Sequence, residues 1–271
     1  MIDKQFKFII GMPRSGSTVL CAILNQHPDV YVTPTSPLLD QLIYNQNAWN
    51  DLLKMNHDKK EEYTIQRDNT TRGIINAMWQ HRSEKIIIDK CRGWGKNMPI
   101  ADYLFNEKIK SVVCVRDITE IMASWLSLIR ANPVNYLDPV IQNNGLEVND
   151  ETRMDEMWNG MVKDCCDTVI EAKKNCENLL FVDYADLTSK REKEVERITK
   201  FLDLKNHKYN LNNIINDTSD NDMIAWGFDG LHTIRKSLSK ESNDPREILG
   251  QKLYDKYHEY DKWFKDSLNG C

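Results

Sequence analysis

The sequence predicts an α/β protein built on a mainly parallel sheet with helices on both faces. Two observations lead to this fold class. Short apolar runs of strand length alternate along the chain with longer amphipathic segments, which is the pattern of a parallel sheet with helical crossovers. The apolar runs are continuous rather than alternating, as expected for strands buried on both faces. We find no internal repeat and no linker-like stretch, so residues 1–271 are predicted to form a single domain.

Five apolar runs are predicted to be strands, and they cover residues 6–10, 30–32, 85–89, 111–115 and 179–182. Ligands of such sheets bind beyond the carboxyl ends of the strands. Basic residues follow three of these runs, with Arg14 after the first, Lys90 after the third and Arg116 after the fourth. Because these cations would meet at one edge of the sheet, the sequence predicts a polyanionic ligand there.

The amphipathic segments are predicted to be helices, and several carry start signals. Proline follows a polar residue at Ser36-Pro37 and at Asp244-Pro245, which favours helix starts at both places. Asp117 and Glu120 have the spacing of a capping box. Residues 54–70 are predicted to be a solvated surface excursion, and residues 203–243 are predicted to be irregular. Further helices are predicted over residues 19–24, residues 151–177 and the charged stretch that carries Val195, Ile198, Phe201 and Leu202 on one face.

The loop Gly11–Thr18 is the strongest candidate for a binding element. It joins the first strand to the first helix, so its backbone N–H groups and the positive end of the helix can cradle an anion. Gly11 and Gly16 keep the spacing of a phosphate-binding loop, but Ser17 stands where a nucleotide hydrolase has lysine. The loop is therefore predicted to bind an anion other than a nucleoside triphosphate held in the usual way.

Composition excludes several classes of protein. The net charge of −5 argues against a nucleic-acid-binding protein, which would be strongly basic. Seven scattered cysteines without a C-x-x-C pair fit reduced thiols better than disulfides or a zinc site, so no metal is predicted. The sequence shows neither a signal peptide nor an apolar run of membrane-spanning length. These features lead us to expect a cytoplasmic protein.

Three motifs resemble the sulfotransferases that use 3′-phosphoadenosine-5′-phosphosulfate (PAPS) as donor. Members of that family have a P-R-S-G-[ST]-[ST] loop after the first strand, and Pro13–Thr18 match it. They also have a strand running into Arg-Asp, with a serine eight residues beyond the arginine, and Arg116 and Ser124 match that. A later Tyr-x-Asp-Leu element is matched at Tyr184. The resemblance spans residues 6–205 in outline and implies a P-loop-like, three-layer sulfotransferase fold.

The resemblance also implies roles for individual residues. Arg14, Ser15, Gly16, Ser17 and Thr18 would hold the phosphosulfate, while Arg116 and Ser124 would hold the 3′-phosphate and Tyr184 would contact adenine. Relatives bring a late basic loop to the 3′-phosphate, and Arg235 and Lys236 are the candidates here. Lys90 takes the place of the lysine that stabilises the bridging oxygen, with Arg14 assisting. The reaction would move a sulfuryl group from PAPS to a hydroxyl or amine and release 3′-phosphoadenosine-5′-phosphate (PAP).

The general base is not matched. Cytosolic members have a histidine two residues after the lysine, where this chain has Arg92. Tyrosylprotein sulfotransferases, which residues 27–30 resemble, have a glutamate pair where this chain has Pro34-Thr35. Either another residue takes the proton, with Asp40, Asp89 and His232 as candidates, or the acceptor needs little base catalysis. The acceptor is left open among small molecules, carbohydrates, lipids and peptides.

Two other functions are weighed against this one. The first is a P-loop small-molecule kinase or nucleotide hydrolase, which Ser17 in the lysine position disfavours. The second is a nucleotide-binding protein without turnover, which the unmatched base permits. Comparison of PAPS with ATP and magnesium, followed by an acceptor assay, would separate the three.

Overall fold

The computed structural model describes residues 2–216, 221–238 and 244–271. Within these ranges, five strands form one parallel sheet in the order β2-β3-β1-β4-β5. The strands are β1 (Gln5–Gly11), β2 (Val30–Thr33), β3 (Ile86–Lys90), β4 (Ser111–Val115) and β5 (Leu179–Asp183). All five predicted strands are confirmed, with ends that agree to within one residue. The α/β fold class is likewise confirmed.

Helices connect the strands and cover the sheet. Along the first half of the chain they are α1 (Ser17–Leu24), α2 (Leu38–Met55), α3 (Lys60–Trp79), α4 (Trp94–Phe105) and α5 (Ile118–Ala131), with a short 3₁₀ turn at His57–Lys59. The second half carries α6 (Leu137–Asn143), α7 (Asp150–Met157), α8 (Lys163–Asn175), α9 (Tyr184–Ser189), α10 (Arg191–Phe201), α11 (Asp222–Trp226) and α12 (Pro245–Asn269), with a π-helical turn at Trp158–Val162 between α7 and α8. None of the described helices has the length and apolarity needed to cross a bilayer.

The core has two halves, one on each face of the sheet. Phe8 and Ile10 of β1 pack into a cluster that includes residues of α4, α5, α8 and α12. Ile9, which points to the opposite face, packs into a second cluster with α1 and α10. Alternate residues of a strand face opposite sides of its sheet, so β1 is buried on both. This arrangement explains the continuous apolar runs and confirms that helices cover both faces.

The start of α5 corrects one sequence prediction. Asp117 and Glu120 do not form a capping box, because the Asp117 side chain makes no capping hydrogen bond. The N–H of Ile118 instead donates to Asp261 of α12 at 2.9 Å. Glu120 accepts a hydrogen bond from Arg116 Nε at 2.8 Å. A residue distant in sequence therefore caps α5, and Glu120 is available to orient an arginine.

Two other helical predictions need correction. The excursion predicted over residues 54–70 lies on the surface, but most of it is helical and belongs to the end of α2, the 3₁₀ turn and α3. The helix predicted over residues 151–177 is interrupted by the π-helical turn, where the N–H of Lys163 donates to the carbonyl of Trp158. The predicted helix start at Asp244-Pro245 is confirmed, with Asp244 accepting a hydrogen bond from the N–H of Arg246 at 2.9 Å. Part of the predicted irregular stretch, residues 217–220 and 239–243, lies outside the described residues.

Candidate functional site

A cleft of about 1010 Å³ opens at the carboxyl edge of the sheet. Its floor is the loop after β1, and residues that follow each of the other four strands also line it. Residues of α5, and of the segment that includes α11 and the residues after it, complete the lining. The structure therefore has a cavity at the sheet edge where the sequence predicts a ligand, and most of the predicted site residues line it.

The loop after β1 is held in shape by contacts with β4 and within itself. The N–H of Met12 donates to the carbonyl of Cys114 at 2.9 Å, and the buried Ser15 hydroxyl donates to the carbonyl of Met12 at 2.6 Å. Gly11 has φ +132°, and a Cβ there would lie 2.1 Å from the Cys114 carbonyl oxygen. Only glycine fits such a close approach of two backbones. The Ser15 hydroxyl therefore stabilises the loop from within.

The start of α1 leaves its first N–H groups for a ligand. Its cap residue Gly16 has φ +85° and offers no side-chain acceptor to Ser17 and the residues that follow. Uncapped N–H groups and the helix dipole together favour an anion at this position. A Cβ on Gly16 would lie 2.8 Å from the ring of Tyr184, so this glycine also allows the ring to lie against the loop.

Arg116 joins the loop to the end of β4. Its Nε donates to Glu120 at 2.8 Å, and its NH1 group donates to the backbone carbonyl of Arg14 at 2.9 Å. Its guanidinium carbon lies 4.2 Å from the ring centroid of Tyr184, in a cation–π contact. The side chain is only 14% exposed. Three contacts therefore fix the guanidinium beside the loop, as a binding arginine requires.

Arg14 lines the same cleft as Arg116 and is held by three contacts. Its Nε donates to the Ser124 hydroxyl at 3.0 Å, its NH1 group donates to the carbonyl of Leu231 at 2.5 Å, and its guanidinium lies 5.9 Å from the Trp125 ring centroid. Burial, with the nearby positive charge of Arg116, lowers the pKa of Arg14. Two guanidinium groups that repel one another in a partly desolvated cleft fit an anionic ligand, since an anion would relieve both effects.

The contact between Arg14 and Ser124 bears on the roles assigned from sequence. The resemblance gives Arg14 to the phosphosulfate and Ser124 to the 3′-phosphate, as two separate groups. The structure places the two side chains in direct contact at 3.0 Å. Ser124 lies on α5 two turns beyond Arg116 and lines the same cleft. The residues predicted to bind the phosphosulfate and those predicted to bind the 3′-phosphate are therefore adjacent, and Arg14 lies where the two sets meet.

Lys90 and Asp89, the last two residues of β3, have different surroundings. Lys90 lines the cleft, whereas Asp89 is fully buried behind it. Asp89 accepts hydrogen bonds from Thr33 at 2.8 Å, from the Trp94 indole at 2.7 Å and from the hydroxyl of Ser36. Burial raises the pKa of the Asp89 carboxyl despite these donors. This carboxyl lies away from the cleft and ties β2, β3 and α4 together, so Asp89 is a structural residue rather than a base.

The remaining candidates are Asp40 of α2 and three residues of the segment after α11. His232 lines the cleft, and its ring Nδ1 lies 2.7 Å from Oδ1 of the buried Asp222. The other carboxylate oxygen of Asp222 accepts a hydrogen bond from the backbone N–H of His232 at 2.7 Å. Asp40 also lines the cleft. Arg235 lines the cleft, whereas the side chain of Lys236 is exposed and does not line it. The backbone carbonyl of Lys236 accepts a hydrogen bond from the backbone N–H of Ile214 at 2.7 Å. Of the two late basic residues, the structure brings only Arg235 to the site.

Sequence reasoning missed three residues of the site. Glu120 orients Arg116, and its spacing of four residues from that arginine on one helix is a signal that was present in the sequence. Asp222 fixes His232, and Trp125 lies under Arg14. Neither of these two residues belongs to a recognisable motif. In the described ranges, no group of three or more His, Cys, Asp or Glu residues lies close enough together to hold a metal ion.

Known proteins resemble this chain in sequence. The sequence profile of the Sulfotransferase family matches residues 8–208. The chain is 27% identical over 205 residues to protein-tyrosine sulfotransferase A of Caenorhabditis elegans, covering 73% of this chain. It is 27% identical over 203 residues to a putative protein-tyrosine sulfotransferase of Caenorhabditis briggsae, covering 74% of this chain. The chain spans 50% of the first relative's length and 66% of the second's.

Solved structures show the same fold. Mouse sulfotransferase SULT7A1, complexed with PAP, superposes with a TM-score of 0.54 at 15% identity, covering 98% of this chain and 89% of that one. The sulfotransferase domain from the curacin biosynthetic pathway superposes with a TM-score of 0.52 at 16% identity, covering 96% and 90%. At these identities the likeness concerns the fold, and membership follows from the profile match over most of the chain. The chain belongs to the sulfotransferase family.

Proposed function

We propose that this protein transfers a sulfuryl group from PAPS to a hydroxyl acceptor and releases PAP. Family membership supports the reaction class. The observation that carries the proposal for this chain is the set formed by Arg116, Arg14 and Ser124, which meets the uncapped start of α1 in one cleft. PAPS has a 5′-phosphosulfate and a separate 3′-phosphate, and this cleft offers cationic and N–H donors for both.

The donor would lie along the floor of the cleft. N–H groups of the loop and of the start of α1 would hold the phosphosulfate, while Arg116 and Ser124 would hold the 3′-phosphate through charge-assisted hydrogen bonds. Arg14, in contact with Ser124, stands between these groups. The ring of Tyr184, already stacked under the Arg116 guanidinium, would border the nucleoside. Glu120, which accepts a hydrogen bond from Arg116 Nε, would hold the Arg116 guanidinium in its orientation.

The chemical step is an in-line displacement at sulfur. The acceptor oxygen forms a new S–O bond as the S–O bond to the 5′-phosphate breaks, and the electron pair of that bond stays on the departing PAP. The acceptor proton passes to a base. Lys90 would stabilise charge on the bridging oxygen and Arg14 would stabilise charge on the sulfuryl oxygens, so catalysis would depend on position and electrostatics. With Asp89 buried, His232 and Asp40 are the candidates for the base that line the cleft.

Transfer of radiolabelled sulfate from PAPS to a panel of hydroxyl acceptors tests the proposal. Lys90→Met is expected to lower kcat about 100-fold or more, because one charge that acts on the transition state is lost, while PAP still binds. Lys96→Met is the matched control, since Lys96 lies outside the cleft lining and pairs with Asp164 at 2.5 Å. Equal activity of the Lys90 variant and wild type would contradict the assigned role. PAP binding without transfer to any acceptor would favour a nucleotide-binding protein without turnover.

A further inference from the structure

We propose that the acceptor is an anionic amphiphile, a molecule with an apolar body and one carboxylate or similar group that pairs with Arg92. This inference rests on the proposed function, because it concerns the acceptor side of the same cleft. Two features of the cleft carry it: the sulfur partners of Arg92 and a group of exposed apolar side chains in the cleft lining.

Arg92 follows Lys90 by two residues and lines the cleft. Its NH1 group lies 3.0 Å from Met161 Sδ and 3.8 Å from Cys165 Sγ. No carboxylate of the described ranges lies within 4.0 Å of this guanidinium, which distinguishes Arg92 from Arg116 with its Glu120 partner. Sulfur is a weak acceptor, so these contacts hold the side chain in place without neutralising its charge. An anion in the cleft would supply the strong acceptor that Arg92 lacks.

The position of Arg92 is built by the π-helical turn at Trp158–Val162. That turn carries Met161 to the cleft wall, where its sulfur meets the guanidinium. Such turns insert one residue into a helix, and they occur often at functional sites because they redirect a side chain. The interruption of the α7–α8 helix therefore has a local consequence, which is to support an arginine close to the lysine at the end of β3.

An apolar wall faces the cleft from α11 and the loop before α6. Ile224 is 83% exposed, and Met223, Trp226 and Tyr136 are between 39% and 46% exposed, although all four line the cleft. Exposed apolar side chains gathered on one cavity wall mark a surface that an apolar ligand covers. Tyr136 brings this wall close to the start of the π-helical turn that carries Met161. A Cβ on Gly227 would lie 2.9 Å from Tyr136, and the Tyr136 hydroxyl lies 4.0 Å from Met157 Sδ, beside the π-helical turn.

The charges of the cleft favour one anionic group over many. Arg14, Lys90, Arg116 and Arg235 are all assigned to the donor, which leaves Arg92 as the acceptor-side cation, two residues beyond Lys90. Asp40 and Glu120 also line the cleft and would repel a strongly acidic chain. A single anion attached to an apolar body matches one arginine and one apolar wall, so the observations favour an amphiphile over an acidic peptide.

A matched pair of acceptors tests the inference. Para-hydroxyphenylbutanoate and its methyl ester carry the same phenol and differ in the charge, and a tyrosine peptide flanked by glutamates represents the acidic peptide. With the full chain and PAPS, the acid is expected to exceed the ester in kcat/KM by roughly 10- to 100-fold, the value of one charge-assisted hydrogen bond. Arg92→Gln is expected to remove this preference, and Arg92→Lys to keep part of it. Arg130→Gln, which changes an arginine paired with Asp150 outside the cleft lining, should leave the preference intact.

The outcomes separate this inference from the proposed function. If the protein binds PAP and transfers sulfate but treats acid and ester alike, or if Arg92→Gln keeps the preference, the inference is overturned and the function stands. A higher kcat/KM for the glutamate peptide than for the acid overturns it as well. If neither phenol reacts, calorimetric binding of the two probes to the PAP-loaded protein decides, and equal affinity for both counts against it. Failure to bind PAP at all would overturn the proposed function itself.

Discussion

Replacement of Gly11 by alanine tests whether the loop after β1 has the geometry that the site requires. Gly11 pairs with Cys114 at the end of the sheet, and its φ of +132° is a conformation that side chains rarely adopt. The added Cβ would lie 2.1 Å from the Cys114 carbonyl oxygen and 2.7 Å from the Cys114 nitrogen. Both are backbone atoms of the neighbouring strand, so neither can move without displacing β4.

Three effects set the size of the loss. Backbone strain at positive φ costs about 1–3 kcal/mol, forced expansion of a packed core about 1–3 kcal/mol, and loss of the Met12–Cys114 hydrogen bond about 1–3 kcal/mol. We therefore expect Gly11→Ala to lower the free energy of unfolding by at least about 3 kcal/mol. For a chain of this size that corresponds to a fall in Tm of about 6 °C or more.

Urea denaturation followed by circular dichroism measures this loss. Gly73→Ala is the matched control, because Gly73 lies in α3 and, apart from its chain neighbours and the backbone of its own helix, no heavy atom lies within 4 Å of the position of its Cβ. Alanine is the better helix former, so this control should raise the free energy of unfolding by about 0.5–1 kcal/mol. The reasoning is refuted if the Gly11 variant is as stable as wild type, or if the two alanine variants change stability alike.

Three further predictions concern the site and its surroundings. Arg116→Gln should weaken PAP binding roughly 10- to 100-fold in calorimetry. Arg116→Lys should weaken it less, because lysine keeps the positive charge but cannot donate two parallel hydrogen bonds as the guanidinium does. Equal affinity of both variants and wild type would contradict this. Asp89→Ala should cost about 3–5 kcal/mol in urea denaturation, since three buried donors lose their acceptor, and a loss below about 1 kcal/mol would argue against its structural role. Burial raises the pKa of the Cys21 thiol to about 11, so at pH 8 a thiol reagent should modify the exposed Cys271 quickly and Cys21 only after unfolding. Because this value exceeds the ordinary thiol value of 9.0, the Cys21 contribution to the free energy of unfolding should stay constant below pH 9.0 and fall by about 1.4 kcal/mol per pH unit from there to about 11. The difference between wild type and Cys21→Ala in denaturation across that range isolates this contribution from those of the other buried thiols.

Much of the fold could be predicted from the sequence because strands buried on both faces leave a clear signal. The five apolar runs became five strands, and Pro245 marked the start of α12 correctly. The helix α3 was missed because it buries few residues, among them only Ile75 and Trp79 as apolar side chains. The helix α4 was not predicted, since it contains Pro99 and shows no side-chain cap. Tertiary contacts rather than local signals stabilise these helices.

The site was predictable only where sequence spacing reports geometry. The loop after β1 and the strand end at Arg116 were found because each is fixed relative to the sheet, and the structure joins them through a hydrogen bond of 2.9 Å. The contact between Arg14 and Ser124 depends on how α5 lies over the loop, and Asp222 reaches His232 through a local fold of the chain. Neither relation has a fixed spacing, so neither was visible in the sequence.

The central claim is that this cleft holds a nucleotide with a separate 3′-phosphate. Calorimetric titration of the wild-type protein with PAP, AMP, and ATP with magnesium tests it most directly, because PAP and AMP differ only in that phosphate. We predict that PAP binds one to one and roughly 10-fold or more tighter than AMP, as expected for a phosphate bound by Arg116 and Ser124, and that it binds tighter than ATP with magnesium. Equal affinity for PAP and AMP, or preferential binding of ATP with magnesium, would contradict the account.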